Sequence, residues 1–378
     1  MKPSIKNLVT ILILMMLVAC TTVTPPTNIA TPTKQLTPIS STASAIPASI
    51  STVTMTASQN SISPTLLAEW TVGQVNDMAW SPDGKMFAVN YSVQGNELNT
   101  IQVFGVESLN SLWITEDSRA FDLIFTSDGK SILESSFVEP ILFLRSVQHG
   151  NIVRQIESDN CDGSQFIIYD PSDNTVLAED ILALGGLNYS PHKVYIYRWN
   201  LNTGICNELI QNGSSFNVFD LNSKGMLLAY NGEGEDNPVI IWDLQKQKEI
   251  CRAPNAVFGH FVPNENILAI IKDRKIVFID ASSCQELREL NLDQTDLHYF
   301  SFSSNGKWLA IFAGQSIEII ETATGKTIAQ ISLTITPSPF GYASKIVFSP
   351  DSNYLLLGFS MAPNSIDSGK VQLWQLQK

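Results

Sequence analysis

The chain has little charge, and it is short of positive charge above all. Of its 378 residues 16% are charged, and 23 Lys and Arg stand against 36 Asp and Glu, which gives a formal net charge of -13. Nucleic-acid binders usually carry a basic footprint, so we expect no nucleic-acid partner. An acidic chain also has no long-range attraction to anionic lipid headgroups. Any link to a membrane must therefore be covalent or inserted.

The sequence also lacks the short motifs of metal and catalytic sites. It contains neither Cys-x-x-Cys nor His-Glu-x-x-His, and its four histidines, at positions 149, 192, 260 and 298, are far apart. Zinc is usually held by such clustered ligands. We therefore expect no metal, no cofactor and no catalytic residue, so that the protein is not an enzyme.

The apolar run at the N-terminus is too short to span a bilayer. It extends from Leu8 to Ala19 behind Lys2 and Lys6, whereas a spanning helix needs about 20 residues. Basic residues followed by a short apolar run are typical of a secretory signal. The run ends in Leu17-Val18-Ala19-Cys20, which resembles the lipobox of bacterial lipoproteins.

The lipobox resemblance implies cleavage before Cys20 and transfer of a diacylglycerol to its thiol. Two acyl chains are enough for stable anchoring. Residues 1–19 are then a signal peptide, and the mature protein is lipid-anchored to the membrane in the bacterial cell envelope, on the extracytoplasmic side. The alternatives are an ordinary secretory signal that ends in Cys and an uncleaved anchor.

Residues 20–64 have the composition of a linker. Between Thr21 and Pro64 there are 19 Ser or Thr and 6 Pro, no acid and a single Lys. Such a segment is typical of an extended, disordered tether. We therefore expect the lipidated Cys20 and its tether over residues 20–64 and a folded part over residues 65–378.

The folded part repeats one pattern seven times. In each copy an apolar strand ends in an aromatic or Leu residue and is followed by a turn rich in Pro, Asp, Asn and Gly. These turn motifs begin, 40 to 52 residues apart, at Trp80, Phe125, Tyr169, Leu221, Phe261, Phe302 and Phe348. A second strand, often with Leu-Ala or Phe-Ala, a third and a weaker fourth follow. Four short strands per repeat predict an all-β fold, a seven-bladed β-propeller with four antiparallel strands per blade.

The two ends of the repeat array complement each other. The last copy stops after its third strand, whereas an unassigned apolar stretch from Leu66 to Val72 precedes the first copy. We expect this N-terminal strand to complete the last blade, which removes an exposed sheet edge. The alternative, that the stretch is only linker, leaves Leu67 and Trp70 in water at a cost in free energy.

Trp242-Asp243-Leu244 resembles the signature of WD-repeat proteins, and Trp199-Asn200-Leu201 and Trp374-Gln375-Leu376 are near forms of it. The resemblance covers about residues 66–378 and implies a monomeric propeller that acts as a protein-interaction scaffold. The family's Gly-His pair is present only as Gly259-His260, inside a predicted strand. A TolB-like propeller, which also uses Ser-Pro-Asp-Gly turns, is the alternative lineage.

Besides Cys20 the chain contains Cys161, Cys206, Cys251 and Cys284. An even number fits two disulfides in an oxidising compartment, with three possible pairings. The similar repeat positions of Cys206 and Cys251 do not by themselves allow a bond. Buried free thiols are the alternative.

Polar residues occupy one equivalent position on the first strands of three consecutive blades: Asp220, His260 and Ser301. We expect each side chain to aim at the next blade rather than to converge in a catalytic triad, which needs hydrogen-bond reach at every step. The acidic loop from Gly232 to Pro238 offers oxygen ligands that suit calcium. It lacks the spacing of a dedicated site, and we interpret it as a solvated loop.

We expect the partner, another protein, to bind one face of the ring. The connections between second and third strands and those that enter each blade share that face, and long loops on a rigid scaffold are where binding residues concentrate. The opposite face carries tight turns, which offer little surface. The candidate binding residues are Glu97, Tyr189, Glu233, Glu235, Asp236, Arg274, Tyr342 and Asp367. The alternative function is an enzyme or small-ligand binder that uses the central pocket.

Overall fold

The structure, a computed structural model, describes the folded part of the chain with several gaps. In this part every regular element is a β-strand, so that no helix there is long and apolar enough to cross a bilayer. The described residues are 62–93, 95–136, 139–161, 166–179, 194–212, 219–232, 236, 238–291, 300–313, 316–333, 345–359 and 369–377.

The described residues form 28 strands. In chain order they are β1 (Ser63–Val72), β2 (Gln74–Trp80), β3 (Met86–Ser92), β4 (Asn99–Gly105), β5 (Ser111–Ser118), β6 (Ala120–Phe125), β7 (Ser131–Ser136), β8 (Ile141–Ser146), β9 (Ile152–Glu157), β10 (Phe166–Asp170), β11 (Thr175–Glu179), β12 (Val194–Asn200), β13 (Cys206–Asn212), β14 (Phe219–Leu221), β15 (Leu227–Asn231), β16 (Val239–Asp243), β17 (Lys248–Ala253), β18 (Ala256–Phe261), β19 (Ile267–Lys272), β20 (Lys275–Asp280), β21 (Glu286–Asn291), β22 (Phe300–Phe302), β23 (Trp308–Ala313), β24 (Ser316–Glu321), β25 (Thr327–Ser332), β26 (Ile346–Phe348), β27 (Tyr354–Phe359) and β28 (Gly369–Gln377).

Seven antiparallel sheets of four strands form the blades of a β-propeller, which confirms the predicted fold class. Blades 1 to 6 each take four consecutive strands: β2–β5, β6–β9, β10–β13, β14–β17, β18–β21 and β22–β25. Blade 7 combines β26, β27 and β28 with β1 as its outermost strand. The first strands of neighbouring blades lie side by side, so they surround the axis of the ring.

The hydrophobic core lies between neighbouring blades. Middle strands bury both of their faces, as in β11, where all five residues are buried. Outer strands such as β5 leave many of their residues exposed. Where neighbouring sheets approach closely, the second strands carry small alanines that are fully buried: Ala88, Ala178, Ala229, Ala269 and Ala310.

The turns after the first strands are stabilised by a small polar network. In blade 1 the Ser81 hydroxyl donates to Asp83 Oδ1 (2.7 Å) and accepts the N–H of Met86 (2.9 Å). The Ser81 hydroxyl and the N–H of Lys85 lower the pKa of Asp83. Gly84 follows with a φ of 69°, which residues with a Cβ adopt only at a cost. The same hydroxyl–carboxylate bond recurs from Thr126 to Asp128 and from Ser349 to Asp351.

β1 is the strand that closes the ring. It pairs antiparallel with β28 along its whole length, which confirms the predicted completion of the last blade by the N-terminal strand. It begins at Ser63, three residues before the predicted Leu66, and Ile62 before it is already buried. The ring centroid of Trp70 lies 4.8 Å from that of Phe104 in blade 1. β1 therefore connects blades 7 and 1 by packing as well as by pairing.

Two disulfides join neighbouring blades near the outer rim. Cys161, which follows the last strand of blade 2, is bonded to Cys206 in the outer strand of blade 3. Cys251, in the outer strand of blade 4, is bonded to Cys284 in the last turn of blade 5. The sequence had left all three pairings open.

Candidate functional site

Antiparallel strands give the ring two different faces. The turns between first and second strands and between third and fourth strands emerge on one face, which we call the turn face. All other connections emerge on the opposite face, the loop face. At the loop face 14 residues of the chain separate the end of β11 at Glu179 from the start of β12 at Val194, whereas a turn-face connection such as 81–85 has only five residues. The ring is therefore asymmetric in the length of its loops.

Three of the predicted binding residues are described, and all three are exposed on the loop face. Glu97 lies between β3 and β4, Asp236 lies between β15 and β16, and Arg274 lies between β19 and β20. Asp236 and Arg274 belong to the neighbouring blades 4 and 5, whereas Glu97 belongs to blade 1. The other predicted residues lie outside the described part of the chain: Cys20, Tyr189, Glu233, Glu235, Tyr342 and Asp367.

Three charged residues meet where the first strands of blades 7, 1 and 2 lie side by side. Lys345 directly precedes β26, Asp77 lies in β2 and Asp122 lies in β6. Each stands three residues before the start of its turn motif, so the three hold equivalent positions in consecutive blades. The Lys345 ammonium contacts Asp77 and lies 3.5 Å from Asp122 Oδ1. We call these three residues the axial cluster.

Backbone N–H groups hold the two carboxylates of the axial cluster in place. Asp77 accepts hydrogen bonds from the N–H of Met78 (2.7 Å) and, in the next blade, from the N–H of Leu123 (2.8 Å). Asp122 likewise accepts the N–H of Ile167 in blade 3 (3.3 Å). Burial raises the pKa of Asp77 to about 7 against the opposing effect of the Lys345 ammonium, and the Asp122 carboxylate adds to the rise.

Sequence reasoning missed the axial cluster. The available signal was the recurrence of charged residues at one repeat position in the first, second and last copies. Neither this recurrence nor the partners of the three charges can be interpreted until the ring is closed, because closure places blade 7 beside blade 1.

Asp220 and His260 form a second polar contact between first strands. Asp220 Oδ2 accepts the N–H of Phe261 in the next blade (2.7 Å) and lies 3.2 Å from His260 Nδ1. The His260 ring packs edge-on against Phe300 of blade 6, with centroids 5.7 Å apart. Asp220 and His260 thus each reach the following blade, the direction that their repeat positions indicated. Ser301 lies half-buried in β22.

A buried ion pair lies within blade 2 and reaches blade 1 through one further contact. The guanidinium of Arg145 in β8 lies 2.5 Å from Glu134 Oε1 in β7, and both side chains are only 1% exposed. Arg145 also reaches Asp117 of blade 1 (3.1 Å). The Ser118 hydroxyl donates to Glu134 Oε2. A cavity of about 290 Å³, lined in part by Asp117, Arg119, Glu134 and Glu139, adjoins this pair.

The turn face also carries a cavity, which sequence reasoning missed. It has a volume of about 490 Å³ and opens between blades 4 and 5. Its lining mixes both signs of charge, with Lys246 bound to Asp243 at 2.7 Å. The signal in the sequence was three lysines of blade 4: Lys224 and Lys246 lie in its turns, and Lys248 begins β17. The expectation that tight turns offer little surface does not hold at this junction, because the gap lies between blades and not within a turn.

These features define the class of the protein as a seven-bladed β-propeller with a polar cluster at its axis. Among the described residues, no group of three or more His, Cys, Asp or Glu side chains is arranged to hold a metal ion. No protein-family model matches the chain, and the search of curated proteins finds no match. Fold and site geometry therefore carry the functional argument.

Proposed function

We propose that the protein is a binding module without catalytic activity, held on the extracytoplasmic side of a bacterial membrane by a lipid on Cys20, and that its partner is another protein. The observation that carries this proposal is the asymmetry of the ring, whose long connections all lie on the loop face. Long loops on a rigid scaffold are where binding residues concentrate. The WD-like Trp242-Asp243-Leu244 and the lipobox-like sequence before Cys20 support it.

Replacing Glu233, Glu235 and Asp236 together by Ala should weaken capture of the partner about tenfold, a change of about 1.4 kcal/mol in binding free energy. These residues belong to one acidic loop-face connection of blade 4, and loss of its charge weakens attraction to a basic partner. The measurement is a pulldown from membrane extract with the full chain. Tyr189→Ala tests a predicted aromatic anchor in the same assay.

The matched control removes three charges from the turn face, in the variant Lys224→Ala, Lys246→Ala, Lys248→Ala. This variant should capture the partner as well as the unchanged chain does, and all variants should melt at the same temperature. If capture survives the loop-face changes but is lost in the lysine variant, the partner binds the turn face.

Cys20→Ala should release the protein from the membrane fraction or leave its signal uncleaved. The thiol of Cys20 is the only acceptor of lipid that the lipobox pattern offers, and the acidic chain has no long-range attraction to lipid. Membrane sedimentation together with N-terminal peptide analysis measures both outcomes. A Cys20→Ala variant that is cleaved and still sediments with membranes contradicts the proposed anchor.

A small-ligand binder is the second candidate function, because polar groups do converge near the axis. Lys345, with a side chain 34% exposed, is the accessible member of the axial cluster. A screen of small ligands against the immobilised full chain distinguishes this function from protein capture.

A further inference from the structure

The axial cluster contains the three groups that spontaneous formation of an amide bond between side chains requires: an amine, a carboxyl group and a second carboxylate. We propose that Lys345 Nζ and the side-chain carboxyl of Asp77 condense to an amide, and that Asp122 accepts the proton released by the amine. The product is an intramolecular isopeptide bond between blades 7 and 1. The proposal is independent of what the loop face binds.

The ring already holds the reacting atoms together. The Lys345 ammonium contacts Asp77, and Asp122 Oδ1 lies 3.5 Å from the same nitrogen. Groups fixed in this way react with effective concentrations of about 10⁵ to 10⁸ M. An amide that is unfavourable between separate molecules in water can therefore form within the folded chain.

The Asp77 carboxyl is placed as an electrophile. Amines attack a neutral carboxylic acid and not a carboxylate, and burial raises the pKa of Asp77 to about 7. The N–H groups of Met78 and Leu123 point at its two oxygens. Such donors stabilise the negative charge that develops on oxygen during attack.

The three side chains of the axial cluster supply every proton that the condensation moves, and water is the only molecule released. The Lys345 ammonium passes one proton to the Asp122 carboxylate and becomes a neutral amine, which attacks the Asp77 carboxyl carbon. The C–N bond forms, the C–OH bond of Asp77 breaks, and the hydroxyl leaves as water with the second proton from nitrogen. Asp122 is left protonated. The partial exposure of Lys345 gives the water a path to solvent.

A neighbouring lysine shows what an ordinary ion pair looks like in the same blade. Lys370 Nζ lies 2.5 Å from Glu69 Oε1, and the other group at this carboxylate is the amide of Gln372. The hydrogen bonds from Lys370 and Gln372 lower the pKa of Glu69, so it is ionised and unreactive toward an amine. This pair lacks the neutral acid that condensation needs.

Tryptic peptide mapping of the full chain, purified from membranes, reduced and alkylated, tests the proposal. Trypsin does not cut after a lysine whose amine is acylated. We expect one branched peptide that contains Asp77 and an uncut Lys345, with the summed mass of its two arms less one water. Lys345→Arg and Asp77→Ala should each abolish it. Ordinary cleavage after Lys345 in the unchanged, folded protein overturns the proposal.

The variant Asp122→Asn tests whether Asp122 accepts the proton from Lys345 or only contacts it. Its amide oxygen can still accept the N–H of Ile167, so the ring should fold with its melting temperature reduced only by loss of the crosslink. We expect the branched peptide to vanish in this variant and to persist in the control Lys370→Arg. A folded Asp122→Asn protein that still yields the full amount of branched peptide overturns the role of Asp122.

Discussion

Deleting β1, residues 63–72, is expected to lower the free energy of unfolding by more than about 5 kcal/mol, which is comparable to the whole stability of many domains. β1 is the fourth strand of blade 7, and without it β28 becomes an exposed edge. The deletion also removes Trp70, a partly buried residue whose ring packs on Phe104 of blade 1. Chemical denaturation followed by circular dichroism measures the loss.

A deletion of equal length in the segment with linker composition, residues 31–40, is the matched control. It leaves β1 and Ile62 intact and should not change the denaturation midpoint. The single variant Trp70→Ala should fall between the two deletions, because it keeps the strand pairing but loses the contact with blade 1. Equal midpoints for the two deletions would show that β1 does not contribute to closure.

Glu134→Gln is expected to destabilise the ring by about 3–5 kcal/mol, the range for breaking one partner of a buried ion pair. Arg145 cannot give up its proton, so the variant leaves a charge that is 1% exposed, and among the described residues the counter-ion that remains bound to it is the exposed Asp117. Denaturation of the purified chain, with the disulfides intact, measures the effect.

Two further variants distinguish the stability cost of an unpaired buried charge from the cost of losing an ion pair as such. Arg252→Met breaks an exposed pair with Glu249 and should cost less than about 1 kcal/mol. The double variant Glu134→Leu, Arg145→Met removes both buried charges and should lose less stability than Glu134→Gln. A Glu134→Gln variant that is no less stable than Arg252→Met would contradict a structural role for the buried pair.

The predictable parts of the fold depend on residues that are close in the chain. The network of Ser81, Asp83 and Met86 spans six residues and recurs in other blades, so a comparison of segments was enough to find it. The completion of blade 7 by β1 followed from counting strands, because the last copy ended one strand short. The start of β1 was placed three residues late, since Ser63 and Pro64 have linker-like composition although they pair with β28.

The candidate site was predictable only in outline. Chain topology placed Glu97, Asp236 and Arg274 on one face, and the structure leaves all three exposed there. The cavity on the turn face was missed because it arises from the fit between two blades. The axial cluster was missed for a similar reason, since its charges are isolated until neighbouring first strands lie side by side.

The sequence by itself determined what local and periodic signals can carry: four strands per repeat, seven blades, the turn chemistry and the strand that closes the ring. The alternation of side chains along a strand and the geometry of a turn depend on neighbours in the chain, so both can be recognised from the sequence without the tertiary structure. Only the tertiary structure decided which distant groups meet, such as Cys161 with Cys206 and Lys345 with Asp122, which is 223 residues away. Such pairs depend on the rotation between blades and on ring closure, because these bring chemically ordinary residues within reach of each other.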